Sequence, residues 1–242
     1  MKITPVPAWL FGGAALVAAA GLTAFVCRAE DPPKDSPAPK RVQLADNVFF
    51  EVQGDVRRVI VPARVVLREG QLEGLLCRKN TKEHEYILAA DVDARKVHAA
   101  LQAAGANSGS PVQFQPKFSP ACGTPIKIRL RYALDGKTIV VPASEWIRDV
   151  KTKKDLDSDW VFAGSHLIPD PDDPKKPPYY LANSGDLVCV CNMDDAMLDL
   201  PIPSPHALAE RAYQGNTDRI PPADTAVDVI FDVVKDKTEK DK

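Results

Sequence analysis

Apolar residues alternate with polar residues along several stretches between Val48 and Val234. Two such runs lie between Val48 and Gly70. The second has Val59, Val61, Ala63, Val65 and Leu67 on one face, and Arg58, Arg64 and Arg68 on the other. Side chains two residues apart share a face of a strand, so this pattern predicts a half-buried strand. Pro62 has no N–H to donate, which predicts that this strand lies at a sheet edge or carries a bulge.

The clearest alternation predicts a β-hairpin. Its first arm has apolar residues at Ile126, Ile128, Leu130, Tyr132 and Leu134, separated by Lys127, Arg129 and Arg131. Asp135–Gly136 follows directly and leads into Lys137 to Val141, and this pair readily adopts the positive φ angles of a two-residue turn. Shorter apolar runs predict strands at residues 85–90, 160–163, 186–191 and 225–234.

Helical spacing is rarer than strand spacing. Ala94, Val97, Leu101 and Ala104 recur every three or four residues, with Asp93 placed to cap a helix and Gly105 to end it. A second, weaker helical pattern covers residues 205–213. The sequence therefore predicts an α+β fold with a mainly antiparallel β-sheet core and one or two packed helices.

Composition adds the class of protein. The chain has 242 residues, 45% of them hydrophobic and 26% charged, which is typical of a globular protein. Its 31 basic and 33 acidic residues leave no broad positive field, so we expect no nucleic-acid partner. The 22 prolines disfavour an all-helical bundle and a central parallel sheet.

The N-terminal segment predicts export. Residues 8–26 contain no charge, and small residues at Cys27 and Ala29 suit signal cleavage before Glu30. Residues 1–29 are thus a signal peptide or an uncleaved membrane anchor formed by residues 8–26, and both place the remainder in the periplasm or another extracytoplasmic space. We expect a proline-rich spacer at 30–43, a single domain at 44–234 and a disordered charged tail at 235–242.

Four cysteines fall in the exported part: Cys77, Cys122, Cys189 and Cys191. An even number in an exported protein allows two disulfide bonds in any of three connectivities, and buried free thiols are the alternative. A four-thiolate metal centre is disfavoured because the C-x-x-C spacing is absent.

Charged residues surround His84 in the string Lys82-Glu83-His84-Glu85, which suits a metal ligand or a base as well as a salt-bridged loop residue. His98 borders the apolar side of the predicted helix, where a packing role is the more common one. No Walker loop, G-x-G-x-x-G, H-E-x-x-H or G-x-S-x-G motif occurs, so we predict no cofactor and leave a metal open.

The spacing of Asp155, Asp157 and Asp159 resembles the opening of a calcium loop. Trp160 stands where that loop has glycine, and His166 stands where it has a bidentate glutamate. We therefore expect a solvated turn here.

Several short strings carry a resemblance to one family. They are Leu67-Arg68-Glu69-Gly70, Thr81-Lys82-Glu83-His84-Glu85, His98-Ala99-Ala100-Leu101, Glu145-Trp146-Ile147-Arg148, Trp160-Val161-Phe162-Ala163-Gly164-Ser165, Gly185-Asp186-Leu187, Ala196-Met197-Leu198-Asp199-Leu200-Pro201 and Ile220-Pro221-Pro222. Together they resemble the YdjY-domain proteins, which are exported bacterial proteins without an established activity, over roughly residues 44–231. The resemblance implies one domain and supplies no reaction. No C-x-x-C-x-x-C occurs, so no iron–sulfur ligands are implied.

These strings mix aromatic and charged residues, as binding grooves do. If they form a site, we expect it around His84, Glu85, Arg148 and Asp186. The alternative is that Trp146, Trp160 and Phe162 belong to the core and that Arg148 pairs with a carboxylate at its edge.

The leading hypothesis is an exported cell-envelope domain that acts as a non-catalytic binding or structural module, with an envelope protein or a small ligand as partner. It would touch a membrane only through an uncleaved N-terminal segment. The alternative is a metal-binding or redox protein that uses His84, Glu85 and the cysteines. A hydrolase is a third possibility, supported only by scattered carboxylates.

Overall fold

The structure is a computed structural model that describes residues 40–204 and 212–234. Contacts divide the chain into units of residues 1–35 and 36–242, and all described residues lie in the second. The strands are β1 (Lys40–Ala45), β2 (Val48–Gln53), β3 (Val56–Val65), β4 (Gln71–Leu72), β5 (Gly74–Arg78), β6 (Tyr86–Ala90), β7 (Ser108–Ser110), β8 (Cys122–Gly123), β9 (Pro125–Leu134), β10 (Lys137–Pro142), β11 (Ile147–Asp149), β12 (Trp160–Phe162), β13 (Leu167–Ile168), β14 (Tyr179–Tyr180), β15 (Asp186–Cys189), β16 (Leu198–Asp199), β17 (Tyr213–Gly215) and β18 (Ala226–Val233). The helix α1 spans Ala94–Ala103, and 3₁₀ helices span Ala143–Trp146 and Leu181–Ser184.

Eight strands close into a barrel in the order β3-β18-β9-β12-β16-β15-β5-β6, and β6 returns to β3. Most neighbours are antiparallel, whereas β15–β16 and β5–β6 are parallel. The predicted α+β fold is wrong, because this protein is mainly β and only one α-helix lies in its described part. The sequence pattern identified strands, but closure depends on pairings between distant segments that no local pattern shows.

Alternating apolar residues fill the barrel. Val229 of β18 lies between Val61 of β3 and Leu130 of β9, and all three side chains are fully buried. Their polar neighbours in sequence point away from the core. Arg58 and Arg129, for example, both bind Asp232 on the other face. Removal of the apolar side chains from water is the main stabilising contribution here.

The sequence predicted that Pro62 marks a sheet edge or a bulge, and this is wrong, because β3 has strand partners on both sides and pairs with β18 without a register shift. β3 pairs with β18 on one side along its length, including Pro62 with Asp228. On its other side β3 pairs with β2 only as far as Ile60, and with β6 from Arg64 onward. Pro62 lies in the gap between these two pairings. No described strand faces it on that side, so its missing N–H costs no hydrogen bond there.

The hairpin and the first helix are confirmed. β9 and β10 pair in register on either side of Asp135 and Gly136, which have φ angles of 50° and 73°. The helix α1 begins after Asp93, whose carboxylate accepts the Arg95 N–H at 2.9 Å, and Gly105 follows its end with φ 99°. It buries Ala94, Val97, Ala100 and Leu101.

Other predictions fall at or beyond the limits of the described chain. Residues 1–29 and 235–242 lie outside it, as do residues 205–211 of the second predicted helix, and β17 begins at Tyr213. β1 includes residues 40–43 of the predicted spacer. Within the described residues no helix is long and apolar enough to cross a membrane.

Candidate functional site

Two glycines allow the closest approaches around a buried carboxylate at the start of β15. A Cβ on Gly74 would lie 1.9 Å from the Tyr86 ring, so only glycine lets that ring lie over β5. Gly185 has φ 147°, and a Cβ there would lie 2.8 Å from Thr81 Oγ1 and 3.1 Å from Lys82 Cγ. The backbone therefore brings Tyr86 and Lys82 against the residue after Gly185, which is Asp186.

Asp186 is the centre of this arrangement, and its side chain is fully buried. Lys82 Nζ lies 3.0 Å from each of its carboxylate oxygens. The Tyr86 hydroxyl donates a hydrogen bond to Asp186 Oδ1 and lies 3.3 Å from Cys189 Sγ. A buried carboxylate requires such partners, because an isolated one is very unfavourable in a protein interior.

A second carboxyl group shares the pocket. Ser184 Oγ lies 3.0 Å from Asp195 Oδ2 and 3.3 Å from Asp186 Oδ2. Burial raises the pKa of Asp195 to about 6, and its hydrogen bond to Asp186 and the charge of Asp186 act in the same direction. Burial would also raise the pKa of Asp186, but hydrogen bonds from Tyr86, Asp195 and Lys82 outweigh it and lower that pKa. Below about pH 6 the proton shared by the two carboxyl groups therefore resides on Asp195.

Lys82 connects Asp186 to a second pair of carboxyl groups nearer the surface. Its Nζ lies 3.8 Å from Glu73 Oε2, and Glu73 hydrogen bonds with Glu85. Burial, followed by the hydrogen bond and the charge of Glu85, raises the pKa of Glu73 to about 7. Glu85 Oε1 lies 3.4 Å from Nε2 of the exposed His84. A connected series of polar groups thus runs from the surface to Asp186.

We call this group the Asp186 site. Its members are Glu73, Lys82, His84, Glu85, Tyr86, Ser184, Asp186, Cys189 and Asp195. Solvent reaches its outer part, where the side chains of Lys82, Glu73 and Glu85 are 30%, 28% and 37% exposed. Four carboxyl groups face a single ammonium group, so the site as a whole favours positive charge.

Two potential nucleophiles of this site, Cys189 and Lys82, are held in their protonated forms. Burial raises the pKa of the Cys189 thiol well above its ordinary value, and the nearby Asp186 and Asp199 charges add to that effect. Burial would lower the pKa of Lys82, but its hydrogen bond and ion pair with Asp186 raise it instead. Because the thiolate and the neutral amine are the nucleophilic forms, neither group is activated.

All four described cysteines are free, so the structure shows the free-thiol alternative rather than the disulfide bonds. Cys77, Cys189 and Cys191 lie in one buried apolar cluster with Tyr86, whereas Cys122 is exposed and contacts Ser110. Burial raises the pKa of both Cys77 and Cys191 to about 12. These three thiols therefore pack as small apolar groups.

A buried turn supports the segment that carries Asp195. Asp199 accepts hydrogen bonds from the Leu200 N–H at 2.7 Å and from the Met193 N–H at 3.3 Å, and the Asn192 amide lies 3.4 Å away. Burial raises the pKa of Asp199 to about 7 against these hydrogen bonds. The turn fixes the position of Asp195 relative to β15.

The structure brings together three of the four residues that the sequence singled out: His84, Glu85 and Asp186. Arg148 does not join them. It lies on β11 opposite Gln214, and its buried Nε has no hydrogen-bond partner among the described residues, so the predicted carboxylate pair is not seen. The alternative prediction for the aromatic residues is confirmed, because Trp146, Trp160 and Phe162 are buried in the core.

Sequence reasoning missed six members of the site: Glu73, Lys82 as the partner of Asp186, Tyr86, Ser184, Cys189 as a contact of Asp186, and Asp195. One available signal was the Gly185-Asp186 string, since a glycine before a buried acid indicates close approach of another segment. A second was Tyr86, a residue with a polar tip at the start of a fully apolar strand. Lys82 and Tyr86 lie 104 and 100 positions before Asp186, so they cannot be paired with it from local pattern.

Two other candidates have structural roles. His98 Nδ1 lies 2.8 Å from the Tyr180 hydroxyl, which donates to the Gly164 carbonyl, so His98 is a packed and satisfied residue. Asp155 binds Arg219 and the Asn216 amide, both at 3.3 Å, so it serves an ion pair. Among residues 40–204 and 212–234, no group of three or more His, Cys, Asp or Glu side chains is placed to hold a metal ion.

The fold and the site together define a β-barrel domain that carries a charged cluster, the Asp186 site, whose outer part solvent reaches. This chain belongs to the YdjY-domain family, because the family model, described as YdjY domain, matches residues 50–232. That range extends from β2 to the end of β18 and includes every member of the Asp186 site. Neither the curated proteins nor the solved structures include a match to this chain.

Proposed function

We propose that this protein is an exported cell-envelope domain that acts as a non-catalytic binding module, and that the Asp186 site binds its ligand. The ligand class that fits these charges is a small molecule or peptide group with an ammonium or guanidinium. The observation that carries the proposal is the excess of carboxyl groups over the single Lys82 ammonium in a site with an exposed rim.

Three features support binding over catalysis. Lys82 and Cys189 are held protonated, so neither is in its nucleophilic form. Asp186 is already fixed by donors on both oxygens, so it orients its neighbours rather than reacting. Glu73 and Asp195 can release protons as a cation enters, because their raised pKa values fall when positive charge approaches.

Export is the part of the proposal that rests on sequence alone. Residues 8–26 contain no charge and precede a suitable cleavage site at Glu30. An envelope location would bring the Asp186 site to extracytoplasmic ligands.

The test uses the full chain purified without chelators from the envelope fraction; recovery from the cytosol alone would contradict export. Thermal unfolding is followed with N-acetyl-lysine amide, N-acetyl-arginine amide and the uncharged N-acetyl-glutamine amide as probes. We expect the cationic probes alone to raise the melting temperature, and Glu85→Gln to abolish that rise. The control Asp91→Asn alters a carboxylate that is 75% exposed and pairs with Lys79, so it should keep the full response.

An equal response to all three probes, or no response, would overturn the ligand class. Metal analysis of the same sample addresses the alternative hypothesis. Stoichiometric metal that disappears with His84→Ala would replace this proposal with a metal-binding function.

A further inference from the structure

The strand β10 has an open edge. It pairs with β9 through six residues without a register shift, and no other described strand pairs with it. Thr138 and Val140 are exposed, and Val140 is 46% exposed. An unpaired strand edge offers a row of N–H and C=O groups to another strand.

The turn determines which backbone groups face outward. Asp135 and Gly136 both have positive φ angles, as in a type I′ hairpin, so Leu134 and Lys137 form the hydrogen-bonded pair next to the turn. Hydrogen-bonded and non-hydrogen-bonded pairs then alternate along the hairpin. The N–H and C=O groups of Thr138 and Val140 therefore point away from β9.

We propose that β10 pairs antiparallel with β10 of a second copy of this chain, about a two-fold axis at Ile139. In this register Thr138 of each copy faces Val140 of the other, and the outward N–H and C=O groups of both residues meet as hydrogen-bonded pairs. Ile139 faces its own counterpart in a non-hydrogen-bonded pair. This inference does not depend on the Asp186 site.

The sequence of β10 favours a second copy as the occupant. Residues 138–141 are uncharged and β-branched, so cross-strand contacts are between Thr and Val side chains. Lys137 faces Val141, which keeps the two copies' Lys137 ammonium groups at opposite ends of the interface. The strand matches itself under the two-fold rotation without placing like charges opposite one another.

The other long sheet edge is built differently. β1 begins with Lys40 and Arg41, and its pairing with β2 is shifted between Gln43 and Ala45. Charged residues and bulges are the features that protect edges from pairing. Of these two edges in the described part of the chain, it is the outer edge of β10 that combines regular pairing with an uncharged centre.

Cysteine cross-linking in the envelope of cells that produce the full chain tests the register. The background is Cys122→Ser, since Cys122 is the exposed thiol among the described residues. Ile139→Cys places two thiols in a non-hydrogen-bonded pair about 4.5 Å apart at Cα, within disulfide range. Val140→Cys places them on a diagonal of about 7 to 8 Å, beyond that range.

We expect roughly tenfold more disulfide-linked dimer for Ile139→Cys than for Val140→Cys after mild oxidation. Random collision predicts the reverse order, because Val140 is exposed and Ile139 is half-buried. Adding Val140→Pro to Ile139→Cys removes an outward N–H that β9 does not use, and should abolish the dimer. Equal or reversed yields, or no dimer from Ile139→Cys, would overturn the proposal, whatever the behaviour of the proline variant.

Discussion

At the scale of single residues, the protein shifts the pKa values of two neighbouring carboxyl groups in opposite directions. Asp186 is buried, yet Lys82 and Tyr86 hold it ionised. The pKa of Asp195 is raised instead, because burial and the Asp186 charge favour its neutral form. The same two chemical groups thus differ in charge at mildly acidic pH because of their surroundings alone.

Asp195→Asn should reduce the pH dependence of stability. The pKa of Asp195 is raised on folding from 3.8 to about 6, so its stabilising contribution is complete below the unfolded pKa and is lost as the pH rises through 6. An asparagine can donate to Asp186 and accept from Ser184 at every pH. We expect the free energy of unfolding of the variant to exceed that of the natural protein by about 1 kcal/mol at about pH 8, after allowance for solvent screening. Near pH 4 the two values should be equal.

Urea unfolding across this pH range measures the effect. Asp194→Asn is the control, because Asp194 is the exposed neighbour of Asp195 in the same segment. A variant that is less stable than the natural protein above pH 6, and not near pH 4, would show that the Asp195 carboxylate is required in its charged form and would contradict this account.

The sequence could identify some of the charged residues of the site but not their contacts. His84, Glu85 and Asp186 stood out because charge next to an apolar strand is unusual. Asp195 did not, because its role depends on the hydrogen bond to Asp186 and on the turn that Asp199 holds in place. Such roles arise from tertiary structure, where burial and distant partners set the properties of each group.

At the scale of elements, local signals sufficed where neighbours in sequence are also neighbours in space. The β9–β10 hairpin and α1 needed only alternation, a turn pair and a cap. Pro62 was misread because the sequence cannot show that β2 and β6 share one side of β3 and leave a gap between them. Closure of the barrel was missed for the same reason.

The start of α1 provides an element-scale prediction. Asp93 accepts the Arg95 N–H and the Asn183 amide, so Asp93→Ala should lower the free energy of unfolding by about 1 kcal/mol. Asp93→Asn retains an acceptor for the helix cap, so it should lower the free energy of unfolding by less than Asp93→Ala does. Hydrogen bonding from Arg95 lowers the pKa of Asp93, so the contribution of its charge is present above the unfolded pKa and lost as the pH falls below it.

Chemical denaturation of both variants at neutral pH and near pH 3 tests this account. The difference in the free energy of unfolding between the natural protein and Asp93→Asn should be smaller near pH 3 than at neutral pH. Asp91→Ala is the control, since Asp91 is exposed and pairs only weakly with Lys79. An equal loss for Asp93→Ala and Asp91→Ala would rule out the cap as the cause.

At the scale of the whole molecule, the barrel is held unevenly. β18 pairs with β3 and with β9 through seven positions each, whereas β3 and β6 pair through only two. The Val66 N–H, which donates to the Ile87 carbonyl at 2.9 Å, extends that short seam. Seams with few hydrogen bonds, of which β3–β6 is one, are where a closed barrel opens at the lowest free energy.

Amide hydrogen exchange should therefore be roughly tenfold or more faster at Val66 than at Val229 under native conditions. Val229 lies in the centre of β18 and can exchange only when the barrel unfolds globally, so its rate should follow the global free energy as urea is added. The exchange rate of the Val66 amide should depend less on urea, because opening the β3–β6 seam exposes little surface. Equal rates and equal urea dependence at both amides would mean that the β3–β6 seam opens only with the whole barrel, and that its two pairings are as strong as the fourteen around β18.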